Sequence, residues 1–238
     1  MLKVDFVTLF PDLVVAAMGD SIMKRAQTAG LLAVRTSNPR DFTHDNHRTV
    51  DDKPFGGGAG MLLKAEPVAQ AIDALEPAPD SAIVMTDPTG ALFNQEAANE
   101  LAQRDHIVFV CGHYEGIDDR IRQTYATHVF SIGDYVLTNG ELPALIMADA
   151  IVRLLPGVLG STQSLEQDSH ADGLLSAPQF TKPEVWRDQK VPEIVRSGDH
   201  QKLERWKRAQ ALKITRERRP DLFAKAELQK GDLELLGE

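Results

Sequence analysis

Runs of β-branched and aliphatic residues alternate along the chain with segments of helical periodicity. Val4 to Leu9 has the length and composition of a strand. Pro11 to Ala29 follows as a helix, with Pro11 suited to its first turn and Gly30 to its C-terminal end. Ala82 to Met85 and Ile107 to Cys111 are apolar runs of strand length, and Thr127 to Ile132 is another. Asn94 to Arg104 reads as a helix with Asn94 as its cap. This alternation predicts an α/β fold with a mostly parallel sheet and helices on its faces. Glu141 to Leu155 is apolar nearly all round, with Leu142, Leu145, Ile146, Met147, Ile151, Val152, Leu154 and Leu155. Such a helix must be covered, by the core or by another subunit.

Two stretches break the pattern. Thr36 to Leu63 is long, polar and glycine-rich, as functional loops are. Ser161 to Asp168 is polar without periodicity and reads as a linker, after which charged helix-formers dominate, notably Gln201 to Arg216. We place a domain boundary there, giving segments 1–160, 161–172 and 173–238.

Composition then narrows the class. The chain has 238 residues, 42% hydrophobic and 26% charged, an ordinary globular balance. No apolar run reaches the length of a membrane span. Met1 to Phe10 is interrupted by Asp5 and reads as a core strand rather than a signal peptide. Cys111 is the single cysteine, so no internal disulfide can form, and the expected compartment is the cytoplasm. At the end of an apolar strand, it reads as a buried small hydrophobe rather than a nucleophile.

The net charge of -9 argues against a nucleic-acid partner. Its distribution argues the other way. Lys182 to Lys225 holds thirteen basic residues against seven acidic ones, so that segment is +6 and the remainder -15. A basic module on an acidic body suits RNA phosphates; a solvated helical surface is the plainer alternative.

Four segments could carry chemistry. Cys111 to Asp118 (CGHYEGID) follows a strand, where an open α/β sheet places its ligand crevice. Glu115 there could attract a cation and Tyr114 could pack on a ring; an ordinary turn is the alternative. Ser131 to Pro143 also follows a strand, and its backbone could read an adenine edge. It is not a dinucleotide fingerprint, and a plain connection remains open. Asp52 to Met61 has four glycines in five positions, enough to wrap a bulky ligand or simply to be flexible, and it lacks the ending of a phosphate-binding loop. The last segment is the pair Arg153 and Asp168. Spacing alone favours a helical ion pair of Arg153 with Asp149 and an N-cap role for Asp168. His44 and His47 stand three apart, too few to make a metal site without further ligands.

Taken together, these segments resemble the bacterial tRNA guanine-37 N1-methyltransferases of the SPOUT superfamily. The resemblance rests on Pro39-Arg40-Asp41-Phe42-Thr43, Thr49 to Met61, Tyr114 to Asp118, Ser131 to Leu137, Gly140 to Pro143, Pro156 to Gly160, and Asp168 with Gly173-Leu174-Leu175. It spans essentially the whole chain. His113 stands where some members carry arginine, and Asn139 where glycine is common.

The resemblance implies a deep trefoil knot that holds S-adenosylmethionine within residues 1–160. The implied contacts are Thr86, Asp87, Pro88, Gly112, Tyr114, Glu115, Gly116, Ile132, Gly133, Asp134, Tyr135, Val136, Leu137, Asn139, Gly140 and Pro143. It further implies a homodimer with active sites shared between subunits, the 141–155 helix at the interface, and a flexible linker over 161–172. A helical tRNA-binding domain would occupy 173–238. Asp168 is then the general base, Arg153 the stabiliser of guanine O6, and magnesium a requirement whose ligands no motif specifies. Ribose methylation, a non-catalytic RNA-binding role and a nucleotide-binding metabolic enzyme are the competing readings.

Overall fold

A computed structural model describes residues 1–160, 165 and 167–237. Residues 161–164 and 166, which make up much of the expected linker, lie outside the described residues. The chain divides into two compact units, Met1–Gly160 and Ser161–Glu238.

The first unit is built on a five-stranded sheet in the order β2-β1-β6-β5-β7, with every neighbouring pair parallel. The strands are β1 (Leu2–Val7), β2 (Leu32–Ser37), β5 (Ala82–Leu92), β6 (His106–Cys111) and β7 (His128–Ser131). A parallel sheet is covered on both faces, so its central strands are apolar throughout. β6 illustrates this, since all six of its residues are buried. Ile107, Phe109 and Cys111 face one core, with Val4, Phe6, Val84 and Met147. Val108 and Val110 face the other, with Val7, Met85, Val68 and Ile72. The alternation of side chains along a strand sorts them.

The helices of this unit are α1 (Pro11–Met18), α2 (Ser21–Thr28), α3 (Ala65–Asp73), α4 (Gln95–Leu101), α5 (Asp119–Tyr125) and α6 (Glu141–Val152). Asn94 caps α4 as expected, its side chain accepting from the Ala97 N–H at 3.0 Å. The single helix expected over Pro11–Ala29 is instead two. Gly19 ends α1, Asp20 turns extended, and the Asp20 carboxylate accepts from Ser21 N at 2.7 Å to start α2. The local cap at Asp20 overrides the periodicity on either side of it.

Thr36 to Leu63 is not featureless. It holds the end of β2, a short 3₁₀ turn at Pro39–Phe42, and a small antiparallel pair, β3 (Asp51–Asp52) with β4 (Leu62–Leu63). The glycine-rich run is the connection between those two strands.

The second unit is organised around the helix His200–Arg218, which starts where Asp199 accepts from Lys202 N at 3.1 Å. Leu174 and Leu212 are buried, and Thr215 Oγ1 accepts from Leu175 N at 2.8 Å. Arg208 forks between Asp232 at 2.8 Å and Asp172 at 2.7 Å. The hairpin β8 (Val185–Trp186) and β9 (Gln189–Lys190) belongs to this unit. Among the described residues, no helix is long and apolar enough to cross a membrane.

Candidate active site

β5 connects to β6 on one side of it, and β6 connects to β7 on the other. That reversal separates the loops at the carboxyl ends of these strands and opens a crevice between them. The crevice holds about 830 Å³, counted to its open mouth. It is lined by three segments far apart in sequence: Met85 to Pro88, Gly112 to Ile117, and Phe130 to Pro143 with interruptions.

Each segment is shaped by a local cause. β5 and β7 change register between Thr86 and Ala91, both of which stand opposite Phe130. The chain from Asp87 to Gly90 therefore bulges outward and forms a rim, with Thr89 N and Oγ1 both donating to Asp87 Oδ1 at 2.8 and 2.7 Å. Gly140 is packed into the floor. Its N–H donates to Gly112 O at 2.7 Å and its carbonyl accepts from Thr86 Oγ1 at 3.2 Å. A Cβ there would overlap Thr86 Oγ1 and come within 2.5 Å of Gly112 N, so only glycine fits.

The loop after β6 is laced to the glycine-rich loop. Glu115 N donates to Met61 O, Leu63 N to Gly116 O, and Asp118 N to Leu63 O, at 2.9–3.0 Å. Tyr114 and Gly116 take positive φ, 60° and 127°, to make that turn. Asp118 closes it by gripping Arg120 at 2.6 Å, and that guanidinium holds the Asp118 carboxyl below its ordinary range.

Beneath the floor lies a carboxylate that sequence reasoning passed over. Glu141 is fully buried at the start of α6, and Thr8 Oγ1 donates to its Oε1 at 2.6 Å. Its Oε2 has no hydrogen-bond partner among the described residues. The negative end of a first-turn carboxylate suits a helix N-terminus, and the i to i+3 pattern gave no hint of burial. Cys111 is buried beside it. Burial, and then the Glu141 charge, push its thiol well above the ordinary range, so it stays a neutral packing group.

Of the residues expected to hold the donor, Thr86, Asp87, Pro88, Gly112, Tyr114, Glu115, Gly116, Ile132, Tyr135, Val136, Leu137, Asn139, Gly140 and Pro143 all line the crevice. Gly133 and Asp134 fall outside the lining; Gly133 sits against the Tyr135 ring. Met85, His113, Ile117, Phe130, Ser131 and Thr138 complete the wall. His113, Ile117, Ser131 and Thr138 belong to the two segments expected to carry chemistry without being among the implied donor contacts, whereas Met85 and Phe130 lie in apolar strands and carry no such signal. His113 and Asn139, the two departures from the resembled pattern, face each other across an isolated β-bridge. Asn139 Oδ1 accepts from Leu142 N at 3.3 Å, and the His113 ring packs between Phe10 and Tyr114.

Arg153 is the C-terminal cap residue of α6 in the first unit, its N–H donating to Asp149 O at 3.1 Å. Asp168 belongs to the second unit, in a run of turns and bends over 167–174 rather than at the head of a helix. That run is braced by Ser176 N and Oγ on Ser169 Oγ, both at 3.0 Å. His44 and His47 are exposed. Among the described residues, no group of three or more His, Cys, Asp or Glu side chains could hold a metal ion.

Comparison with known proteins agrees in one direction. The family model for tRNA (Guanine-1)-methyltransferase TrmD matches residues 2–225. A protein of Dictyoglomus turgidum named tRNA (guanine-N(1)-)-methyltransferase is 48% identical over 238 residues, covering 100% of this chain and 96% of its own. Proteins of the same name from Dehalococcoides mccartyi and Staphylococcus epidermidis are 47% and 48% identical, covering 100% and 99% of this chain and 96% of their own. With a crevice at the carboxyl ends of a parallel sheet and this match from end to end, the chain belongs to the tRNA (guanine-1)-methyltransferase family and is a methyltransferase.

Proposed function

We propose that the protein methylates N1 of guanine 37 in the anticodon loop of tRNA, with S-adenosylmethionine as donor bound in the crevice of the first unit. The observation that carries this reading is the lacing of the Gly112–Ile117 wall to the glycine-rich loop, which joins a donor crevice to a surface loop able to meet RNA.

The crevice suits the donor chemically. Gly112 and Gly140 expose main-chain groups in the lining, where an adenine edge can be read, and Ile132, Tyr135, Val136 and Leu137 supply apolar walls. The Glu115 carboxylate offers the negative charge that a sulfonium favours. Bound there, the donor brings a methyl group that is already activated.

The chain's own residues must then ready the acceptor. Guanine N1 is protonated at neutral pH and is a poor nucleophile until that proton leaves. Asp168 accepts the N1 proton, and the Arg153 guanidinium neutralises the negative charge that gathers on O6. Such groups are each typically worth about 10²–10⁴-fold in rate. The target base leaves its stack to be reached, which a loop allows more cheaply than a duplex. The basic segment Lys182–Lys225 holds the RNA, and Asp168 meets the target base when the RNA is bound.

The same reading includes a trefoil knot made by the loops after β5, β6 and β7, and a homodimer in which each site draws on both copies. Support for the dimer comes from exposed apolar side chains on two helices that pack together, Leu13 and Val15 of α1 and Leu142 and Ile146 of α6. Magnesium, which the family resemblance implies, takes no part in the steps above.

The deciding experiment is transfer of labelled methyl from S-adenosylmethionine to unmodified tRNA, followed by nucleotide mapping. Label at N1 of guanine 37 is expected. Label on a ribose or another base, or none, overturns the reading.

A further inference from the structure

The second unit contains a feature that folding does not require. The β8–β9 hairpin pairs Val185 with Lys190 and Trp186 with Gln189, and Val191 N donates to Glu184 O at 3.0 Å. Every residue from 178 to 190 is exposed, and Trp186 keeps 57% of its surface in water. A tryptophan is the largest apolar side chain available, and placing it here forgoes the stabilisation that its burial would bring. A two-stranded hairpin of this size gains little of its own stability from such a residue.

The turn adds a second oddity. Arg187 and Asp188 both take positive φ, 46° and 67°, as the two central residues of a tight hairpin do. Asp188 suits that conformation but Arg187 does not, yet it sets the Arg187 guanidinium over the indole, 4.8 Å from its centroid. Lys182 and Lys190 lie in the same stretch. Of its two acids, Glu184 is engaged by Arg196, which leaves Asp188 against three cations.

An exposed π-face beside a concentration of positive charge matches one kind of ligand well. A nucleotide offers a flat ring to stack and a phosphate to neutralise, and single-stranded RNA offers them side by side. An apolar protein partner would leave the cations unmatched. We propose that the Trp186–Arg187 hairpin is a stacking platform for an unpaired base of the substrate RNA, with Arg187, Lys182 and Lys190 meeting its backbone. This inference rests on the functional reading above in taking tRNA as the substrate, and it identifies where outside the donor crevice that substrate is gripped.

The chain has two tryptophans, Trp186 and Trp206, which makes the platform directly observable. Unmodified tRNA transcript is titrated into the full-length wild-type protein and into Trp186→Phe, with intrinsic fluorescence as readout. Stacking quenches the wild type and leaves the variant, which reports Trp206 alone, largely unchanged. Trp186→Ala weakens tRNA binding about tenfold, the scale of one aromatic–base stack, while Trp186→Phe restores most of it. Arg187→Ala weakens binding and flattens its salt dependence by about one phosphate contact. Donor affinity and the thermal midpoint stay at wild-type values in all three, because the hairpin buries so little.

Equal quenching in wild type and Trp186→Phe, or unaltered tRNA affinity in Trp186→Ala, overturns the platform. So does a Trp186→Ala variant that keeps its RNA affinity but loses self-association, which would assign the surface to a second copy of the chain. Mapping the methyl group in the same samples separates the two claims. Quenching with methylation elsewhere sinks the assigned target and leaves the platform standing; normal methylation of guanine 37 without quenching does the reverse.

Discussion

Gly60 lies against the side chain of Glu115. A Cβ at position 60 would overlap Glu115 Cγ and stand 2.6 Å from Oε1. The last glycine of the surface loop therefore sets the position of the carboxylate in the donor crevice. Gly60 also holds φ at +83°, a conformation that strains an alanine.

Gly60→Ala should thus swing Glu115 out of place and lower kcat/KM by about tenfold or more, since small misplacements at a reacting centre are costly. Strain at φ alone would act in any background, whereas the overlap needs the Glu115 side chain. The cycle of Gly60→Ala, Glu115→Ala and the double variant distinguishes them. A much smaller effect of Gly60→Ala in the Glu115→Ala background is expected; equal effects in both would rule out the contact as the cause.

Gly140 is the tighter constraint. Its neighbours are backbone at Gly112 and the hydroxyl of Thr86, neither of which can move away cheaply. Gly140→Ala should abolish measurable donor binding and cost about 1–3 kcal/mol of stability, as overpacking does. Thr86→Val, which only removes the hydroxyl donated to Gly140 O, should be milder on both counts. Isothermal calorimetry with S-adenosylmethionine and thermal melts of both variants are the measurements.

The roles proposed for Asp168 and Arg153 predict a clean separation of binding from turnover. Asp168→Asn should lower kcat by about 10²–10⁴-fold with donor affinity nearly intact, because the amide cannot take the N1 proton. Arg153→Ala should also act mainly on kcat, with its loss partly recovered in Arg153→Lys. Single-turnover rates decide this. Unchanged turnover in Asp168→Asn would remove it from the mechanism.

Acid should loosen the second unit through Asp232. The Arg208 guanidinium holds this buried carboxyl below its ordinary range. A depressed pKa stabilises the fold fully above the unfolded value of about 3.9 and loses that contribution as pH falls through the folded value. Asp232→Asn should therefore melt earlier at pH 7, by about 1–3 kcal/mol, and show a shallower decline below about pH 4. Asp221 is held at about 2 by Arg219, but that pair is exposed and screened, so Asp221→Asn should change little. Parallel melting-versus-pH curves for Asp232→Asn and wild type would contradict the assignment.

Local chemistry made several elements readable from the residues alone. The buried strands are continuous apolar runs, and Asn94 caps α4; α6 stops at Val152, short of the Leu155 that Pro156 bounds, with Arg153 as its cap. Where two local signals competed, as at Gly19-Asp20 inside the expected Pro11–Ala29 helix, periodicity was the weaker one. α5 is hard to read because Ile121 and Tyr125 stand among polar residues, whereas α3 carries Val68, Ala71 and Ile72 at helical spacing, a pattern legible in the residues themselves.

The crevice is another matter, and the reason is distance along the chain. Its walls come from residues near 86, 112, 131 and 140, which meet only because β5, β6 and β7 are parallel and adjacent. Sequence alone marked these stretches as loops after strands, and resemblance marked them as donor-binding. Only the fold showed that Gly140 must lack a side chain because Thr86 and Gly112 close on it, or that Glu141 is buried under the floor on Thr8. Burial and close approach are sums over neighbours that no local pattern contains.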